Sequence, residues 1–205
     1  MKVYTGIDIG STTAIVSIIP EKRGVWYSAS PLSHPNKRGW RSLQIVILDA
    51  LGTIVSKPPP HKVPMKLVVT LPETFISPKT IRSGLGLAEL TAQAVMILEG
   101  LDYSGSHRVG RCDVVTDNKA RSSVFGHTPQ GRGSKQKIAE KVKELYWPEL
   151  PTLLPRGKIL HHHLSDAMVF AMLGMTRDAN ENWNRFTLEK LFFQNEWSYH
   201  GEVRR

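Results

Sequence analysis

Two groups of polar side chains stand beside apolar segments, and their types are those that bind a divalent metal ion. Asp8 lies at the end of the apolar run that begins at Val3. Far along the chain, the cluster 161–166, with the sequence His-His-His-Leu-Ser-Asp, opens a hydrophobic helix. A lone carboxylate in an apolar strand is costly to desolvate, so a cation partner such as a metal ion is predicted. The other interpretation makes Asp8 a turn cap before Gly10.

The charge of the chain indicates the class of its partner. Its 205 residues include 27 Lys and Arg against 18 Asp and Glu, a formal net charge of +9 with a pI near 9.8. Such a balance favours a polyanion, with nucleic acid as the first candidate and an anionic membrane surface as the second. Hydrophobic residues make up 40% of the chain, which is enough to form the core of one domain.

Several classes of protein are excluded by composition. No apolar stretch reaches the roughly 18 residues of a membrane span, and the N-terminus lacks the pattern of a signal peptide. We therefore expect a soluble, cytoplasmic protein. The single cysteine, Cys112, excludes an internal disulfide framework and a cysteine-based zinc site, and we interpret it as a buried strand residue.

The elements that must position the polar side chains follow a mixed α/β pattern. Runs rich in β-branched residues predict strands, the first two antiparallel, and apolar residues at helical spacing predict helices. We predict strands at residues 4–9, 13–19, 24–28, 67–71 and 111–116, and helices at residues 42–56, 78–100, 134–147 and 164–175. No element is predicted for the polar stretch 117–133 or for residues 180–205.

The predicted helix 78–100 is apolar on more than one side. Ser77 supplies an N-cap, and Pro78 suits the first helical position. A helix with two apolar stripes is buried within the protein or lies at a subunit interface. Both placements remain open for this helix.

The order of these elements resembles that of the ribonuclease H-like nucleases, and within them the chain resembles the RuvC-type Holliday-junction resolvases. Four pieces carry the resemblance: the segment 6–10, Gly-Ile-Asp-Ile-Gly; the segment 73–75, Glu-Thr-Phe; the basic loop and helix around Lys135; and the segment 163–171, which begins His-Leu-Ser-Asp. The resemblance covers roughly residues 1–175. It implies a ribonuclease H-like domain with a mixed five-stranded sheet flanked by helices, followed by a tail at 176–205.

This resemblance also implies a catalytic metal site. Its ligands would be Asp8, Glu73, His163 and Asp166. Residues three apart lie on one face of a helix, so His163 and Asp166 can point at the same ion, with His162 as the alternative if the helix begins differently. Oxygen-rich ligands select Mg²⁺, with Mn²⁺ as the alternative, and two ions roughly 3.5 to 4 Å apart would promote phosphodiester hydrolysis.

The implied substrate is branched DNA, a four-way junction cut by paired nicks. Basic residues near the scissile phosphate and an aromatic at the junction centre would bind it, with Lys119 as an alternative to Arg121. The predicted DNA-binding residues are Phe75, Lys119, Arg121, Arg132, Lys135 and Lys137. The junction has approximate two-fold symmetry, so a C₂ homodimer is expected, with helix 78–100 as its candidate interface. The setting would be a bacterial or phage-infected cell.

Three other functions remain open at this point. A related ribonuclease H-like nuclease would act on other branched or duplex DNA. The segment 6–13 also resembles the first phosphate loop of actin-like kinases and ATPases, although the chain has no second copy of that loop. A non-catalytic DNA-binding protein on the same fold is the third alternative, and dispensable carboxylates would favour it.

Overall fold

Six strands form one mixed sheet in a computed structural model that describes residues 1–10, 12–32, 42–55, 66–73, 81–103, 108–128, 133–151, 161–178, 181 and 183–203. The strands are β1 Lys2–Asp8, β2 Thr12–Ile19, β3 Gly24–Pro31, β4 Lys66–Pro72, β5 Arg108–Val115 and β6 Ser198–Val203. The helices are α1 Leu43–Val55, α2 Ile81–Tyr103, α3 Asp117–Phe125, α4 Ser134–Leu145, α5 His161–Thr176 and α6 Arg185–Phe193, and a 3₁₀ turn spans Pro20–Lys22.

The strand order places three parallel strands side by side. The order across the sheet is β5-β4-β1-β2-β3-β6, in which β1, β2 and β3 form an antiparallel meander. Strand β4 runs parallel to both β1 and β5. The carboxyl ends of β1, β4 and β5 therefore meet at one edge, the place where open α/β sheets bind ligands. The predicted mixed α/β fold, a sheet flanked by helices, is confirmed, with one strand more than the five predicted.

Helices cover both faces of the sheet because its strands alternate their buried side chains between two cores. On β1, Tyr4 belongs to the core shared with α3 to α6, and Val3 and Ile7 belong to the core shared with α1 and α2. This two-residue period is that of a strand buried on both sides. Helix α5 is the central helix of the first face, and nearly all of its residues from Leu164 to Met175 are buried.

Helix α5 lies directly on β1 because Gly6 has no side chain. A Cβ atom at Gly6 would overlap the backbone oxygen of Ala167 and the backbone nitrogen of Ala171. Asp8 lies two residues beyond Gly6 on the strand, and His163 lies one turn before Ala167 on the helix. The close approach at Gly6 therefore sets the distance between these two polar residues.

Helix α3 occupies part of the polar stretch for which no element is predicted. The Thr116 side chain caps it by accepting a hydrogen bond from the Lys119 backbone N–H, and Gly126 ends it with φ of 76°. Ala120 and Val124 are buried. The capping Thr and the final Gly are recognisable signals, but the helix is too short and too polar for its periodicity to stand out.

Residues beyond 175 also belong to this fold. Helix α6 begins with a capping box between Asn184 and Thr187. Strand β6 pairs in parallel with β3, and Tyr199 stacks on the buried Trp147 with ring centroids 5.4 Å apart. The predicted tail thus contributes both a helix and a strand.

Three further predictions concern Cys112, membrane spans and the start of the helix predicted at residues 78–100. Cys112 lies on β5 and is partly buried, and burial raises the pKa of its thiol to about 11, which keeps it protonated at neutral pH. Within the described ranges, no helix has the length and apolar character needed to cross a membrane. Ser77 and Pro78 lie outside the described residues.

Candidate active site

The four predicted metal ligands all lie at the carboxyl edge of the parallel strands. Asp8 is the last residue of β1. Glu73 follows β4, is exposed, and donates its backbone N–H to the Val115 carbonyl of β5 at 2.7 Å. Helix α5 begins at the same edge and carries His163 and Asp166 in its first turns. Four residues that are far apart in the sequence thus lie at one end of the sheet.

Asp8 and His163 are in direct contact. The distance between Nδ1 of His163 and Oδ2 of Asp8 is 2.8 Å, and both side chains are about one-fifth exposed, at 21% and 18%. The ring of His162 packs against that of His163 with centroids 4.0 Å apart. His163 thus contacts both the carboxylate of Asp8 and the ring of His162.

Asp166 is the most enclosed carboxylate of the site. It is 5% exposed, and its Oδ1 accepts a hydrogen bond of 2.9 Å from Nη2 of Arg121 on α3. Burial and the negative charge of Asp8 raise the pKa of Asp166 to about 6, against the opposing effect of Arg121. The buried ion pair with Arg121 limits this increase.

Asp117 is a further acidic residue of the site, which the sequence analysis missed. It is the first residue of α3, directly after β5, and its Oδ2 lies 3.3 Å from Nη2 of Arg121. Partial burial and the charge of Asp8 raise its pKa, while Arg121 and Lys135 lower it. The available signal was a carboxylate immediately after a strand of the parallel set.

The donor types at this edge suit a hard divalent ion. Carboxylate oxygens are the ligands that Mg²⁺ and Mn²⁺ prefer, whereas an imidazole is more typical of transition-metal ions. Within the described residues, however, no three His, Cys, Asp or Glu side chains converge on one point where an ion would sit. Asp166 faces Arg121, and His163 faces Asp8.

The predicted DNA-binding residues are divided between the surface and the interior. Lys119 on α3 and both Lys135 and Lys137 on α4 are exposed. Arg121, in contrast, is 7% exposed and directed toward the acidic residues. Phe75 and Arg132 lie outside the described residues.

Comparison with known proteins gives similarity at the level of structure. No protein-family model matches the chain, and no curated protein matches it. A solved structure of RuvC from Thermus thermophilus is 15% identical, with a TM-score of 0.45 over 85% of this chain and 93% of that one. A structure of T. thermophilus RuvC in complex with Holliday junction substrate is 14% identical, with a TM-score of 0.47 over 91% and 96%.

The raised pKa of Asp166 predicts a specific pH dependence of stability. Because the folded state binds the Asp166 proton more tightly than the unfolded state, this group stabilises the fold below its ordinary pKa of 3.8, and that contribution is lost as pH rises through about 6. The change is on the order of 3 kcal/mol. Urea unfolding in EDTA between pH 4 and 8 should show wild type losing stability relative to Asp166→Asn as pH rises. A pH-independent difference would contradict this prediction.

Proposed function

We propose that the chain is a metal-dependent endonuclease that resolves four-way DNA junctions. The observation that carries the proposal is the contact between Asp8 at the carboxyl end of β1 and His163 of α5, with Asp166 one turn further along the same helix. An acidic edge in a chain of net charge +9 is suited to hold cations beside a polyanion. Metal-dependent hydrolysis of DNA uses both features, the acidic edge to hold cations and the positive charge of the chain to bind the polyanion.

The residues proposed to hold the ions are Asp8, Glu73, His163 and Asp166. Mg²⁺ is proposed, with Mn²⁺ as the alternative and two ions per site. When bound, divalent ions supply a nucleophilic water at neutral pH and stabilise the leaving 3′ oxygen. His163 contributes by fixing the orientation of Asp8 through their 2.8 Å contact. Glu73 is exposed at the same edge and is accessible to a phosphate that approaches from solvent.

Exposed lysines beside this edge are proposed to bind the DNA backbone. Lys119 follows Asp117 on α3, and Lys135 lies in the first turn of α4, close enough to lower the pKa of Asp117. Lys137 extends this basic surface on α4. Arg132 and Phe75 complete the proposed DNA-binding residues.

Replacing Lys135 by Met should weaken junction binding without changing its preference for junctions. A Lys that neutralises one phosphate releases counterions. Its removal should therefore make the plot of log affinity against log salt concentration less steep by about 0.9. Fluorescence anisotropy with a labelled junction between 50 and 300 mM KCl would measure this slope. Lys190→Met, an exposed change on α6, is the matched control and should leave the slope unchanged. An unchanged slope for Lys135→Met would remove this residue from the proposed surface.

A homodimer is proposed because two symmetric nicks need two active sites. Helix α2 offers an apolar surface for it: Met96 is 71% exposed, Leu85 is also exposed, and Val114 of β5 lies beside Met96. A dimer that buries this surface would remove exposed apolar groups from water. The cytoplasm of a bacterial or phage-infected cell is the proposed setting.

The test is a cleavage assay on five-prime-labelled substrates. A four-way junction, a linear duplex, a single strand and an RNA–DNA hybrid are incubated with the protein in EDTA, Mg²⁺ or Mn²⁺. The expected result is paired nicks in the junction alone, dependent on metal, with 5′ phosphate and 3′ hydroxyl ends. Equal cleavage of linear duplex would favour a nuclease for other DNA. Tight binding without cleavage would favour a non-catalytic DNA-binding protein, and ATP hydrolysis would favour the ATPase alternative.

A further inference from the structure

Arg121 is the buried cation at the centre of the acidic site. It lies on α3, is 7% exposed, and donates from Nη2 to Asp166 at 2.9 Å and to Asp117 at 3.3 Å. Asp166 itself is 5% exposed. Two acceptors from different elements thus share one guanidinium nitrogen, the Asp166 contact being buried and the Asp117 contact partly buried.

Lys119, two positions earlier on the same helix, has the opposite environment. Its side chain is exposed, whereas that of Arg121 is enclosed. A side chain that contacts a DNA phosphate must reach the surface, and its loss reduces the salt dependence of binding. Helix α3 therefore presents Lys119 to solvent and Arg121 to the acidic residues. The two residues cannot have the same function.

We propose, resting on the nuclease function proposed above, that Arg121 is a positioning residue of the metal site and not a contact to DNA. Its guanidinium holds Oδ1 of Asp166, so that the other carboxylate oxygen is the one presented to an ion. Asp117, one helical turn before Arg121, anchors the guanidinium in turn. Asp117, Arg121 and Asp166 form a relay that fixes the orientation of a ligand.

The geometry of the relay requires an arginine. A guanidinium is planar, keeps its charge when buried, and holds carboxylates through donors in fixed directions. A lysine ammonium at this position retains the charge but is a single point on a flexible stem. Partners that orient a metal ligand in this way typically contribute a factor of about 10 to 100 to metal affinity.

Two measurements on the full chain separate positioning from DNA contact. The first is Mn²⁺ affinity by isothermal titration calorimetry, and the second is the salt dependence of junction binding in EDTA. The variants are Arg121→Lys, Arg121→Met and Asp117→Asn. Ser123→Ala, at an exposed position of the same helix, is the control. Circular dichroism establishes that each variant is folded.

The expected result is a loss of metal affinity without a change in salt dependence. Mn²⁺ binding should weaken about 10-fold or more in Arg121→Lys, further in Arg121→Met and less in Asp117→Asn. The salt slope should stay at the wild-type value in all of them. Ser123→Ala should match wild type in both measurements.

Three outcomes would overturn the inference. Wild-type Mn²⁺ affinity in folded Arg121→Lys or Arg121→Met would show that Arg121 positions nothing. A salt dependence of junction binding that is less steep than wild type by about 0.9 would make Arg121 a phosphate contact. Failure of the wild-type protein to bind Mn²⁺ would remove the proposed function and the relay together, whereas failure of the relay alone would leave metal-dependent cleavage intact. If Arg121→Met does not fold, Arg121→Lys and Asp117→Asn decide the result.

Discussion

Asp8→Asn should abolish strand cleavage, with a rate at least about 1000-fold below wild type, equivalent to roughly 4 kcal/mol of lost transition-state stabilisation. The side chain keeps its shape but loses the charge that a divalent ion requires. Asp8 contacts His163, and its charge adds to the effect of burial in raising the pKa of both Asp166 and Asp117, so it interacts with three other residues of the site. The measurement is single-turnover cleavage of a labelled junction in Mg²⁺ and in Mn²⁺.

Junction binding should survive this substitution. Removal of one negative charge from an acidic edge does not weaken attraction to DNA, so affinity in EDTA should stay within about twofold of wild type or increase slightly. Glu144→Gln makes the same chemical change at an exposed position of α4 and should cleave at the wild-type rate. Cleavage retained by Asp8→Asn would contradict the proposed metal site.

Gly6→Ala should lower the free energy of unfolding by about 3 kcal/mol or more, the upper part of the range for overpacked cores. The added methyl group would meet the backbone of α5 at Ala167 and Ala171, and backbone atoms cannot move aside as a flexible side chain can. The helix must separate from β1 or the strand must bend. Urea unfolding followed by circular dichroism would measure the loss.

The same substitution should impair catalysis in whatever fraction remains folded. Gly6 sets the spacing between β1 and α5, and these elements carry Asp8 and His163. Gly52→Ala on α1 is the matched control: its new Cβ would have no neighbour within 4 Å, and it should stabilise the protein by about 0.5 to 1 kcal/mol. Wild-type stability in Gly6→Ala would contradict the close packing of helix on strand.

Much of the fold follows from patterns that are local in sequence. The β-branched runs of β1 and β2 predict their antiparallel pairing, and the structure places Gly6 opposite Val16 and Ile7 opposite Ile15. The long apolar stretch of α5 predicts a buried helix, which its burial confirms. In each case the hydrophobic period that marks the element also determines which face is buried.

The sequence indicates only some residues of the acidic site, because the charge interactions of the others depend on residues that are distant in the chain. The sequence places Asp8 and Asp166 beside apolar elements, which marks them as unusual. Arg121 resembles any other residue of a basic stretch, and only the packing of α3 against α5 turns it inward. Burial of a charged side chain depends on partners that are distant in the chain, and no local pattern records it.

The sequence predicts strand β3 but not strand β6, because β6 also depends on contacts with distant parts of the chain. β6 has the sequence Ser-Tyr-His-Gly-Glu-Val, with Gly and Glu among its residues, and these residue types are depleted in strands. It is held by its pairing with β3 and by the contacts of Tyr199, which stacks on Trp147 and donates its hydroxyl to the Tyr146 carbonyl at 2.7 Å. Tertiary contacts therefore outweigh its weak intrinsic preference.

The pairing of β3 with β6 also affects how the chain folds while it is being synthesised. Gly24 pairs in register with Ser198, so β3 leaves the ribosome well before its partner exists. During that interval β3 is an unprotected sheet edge, able to pair with the strand of another nascent chain. Parallel contacts between such distant segments form slowly because a long loop must close first. Translation rate and chaperone supply should therefore govern the yield of soluble protein more strongly than they do in folds built from neighbouring segments.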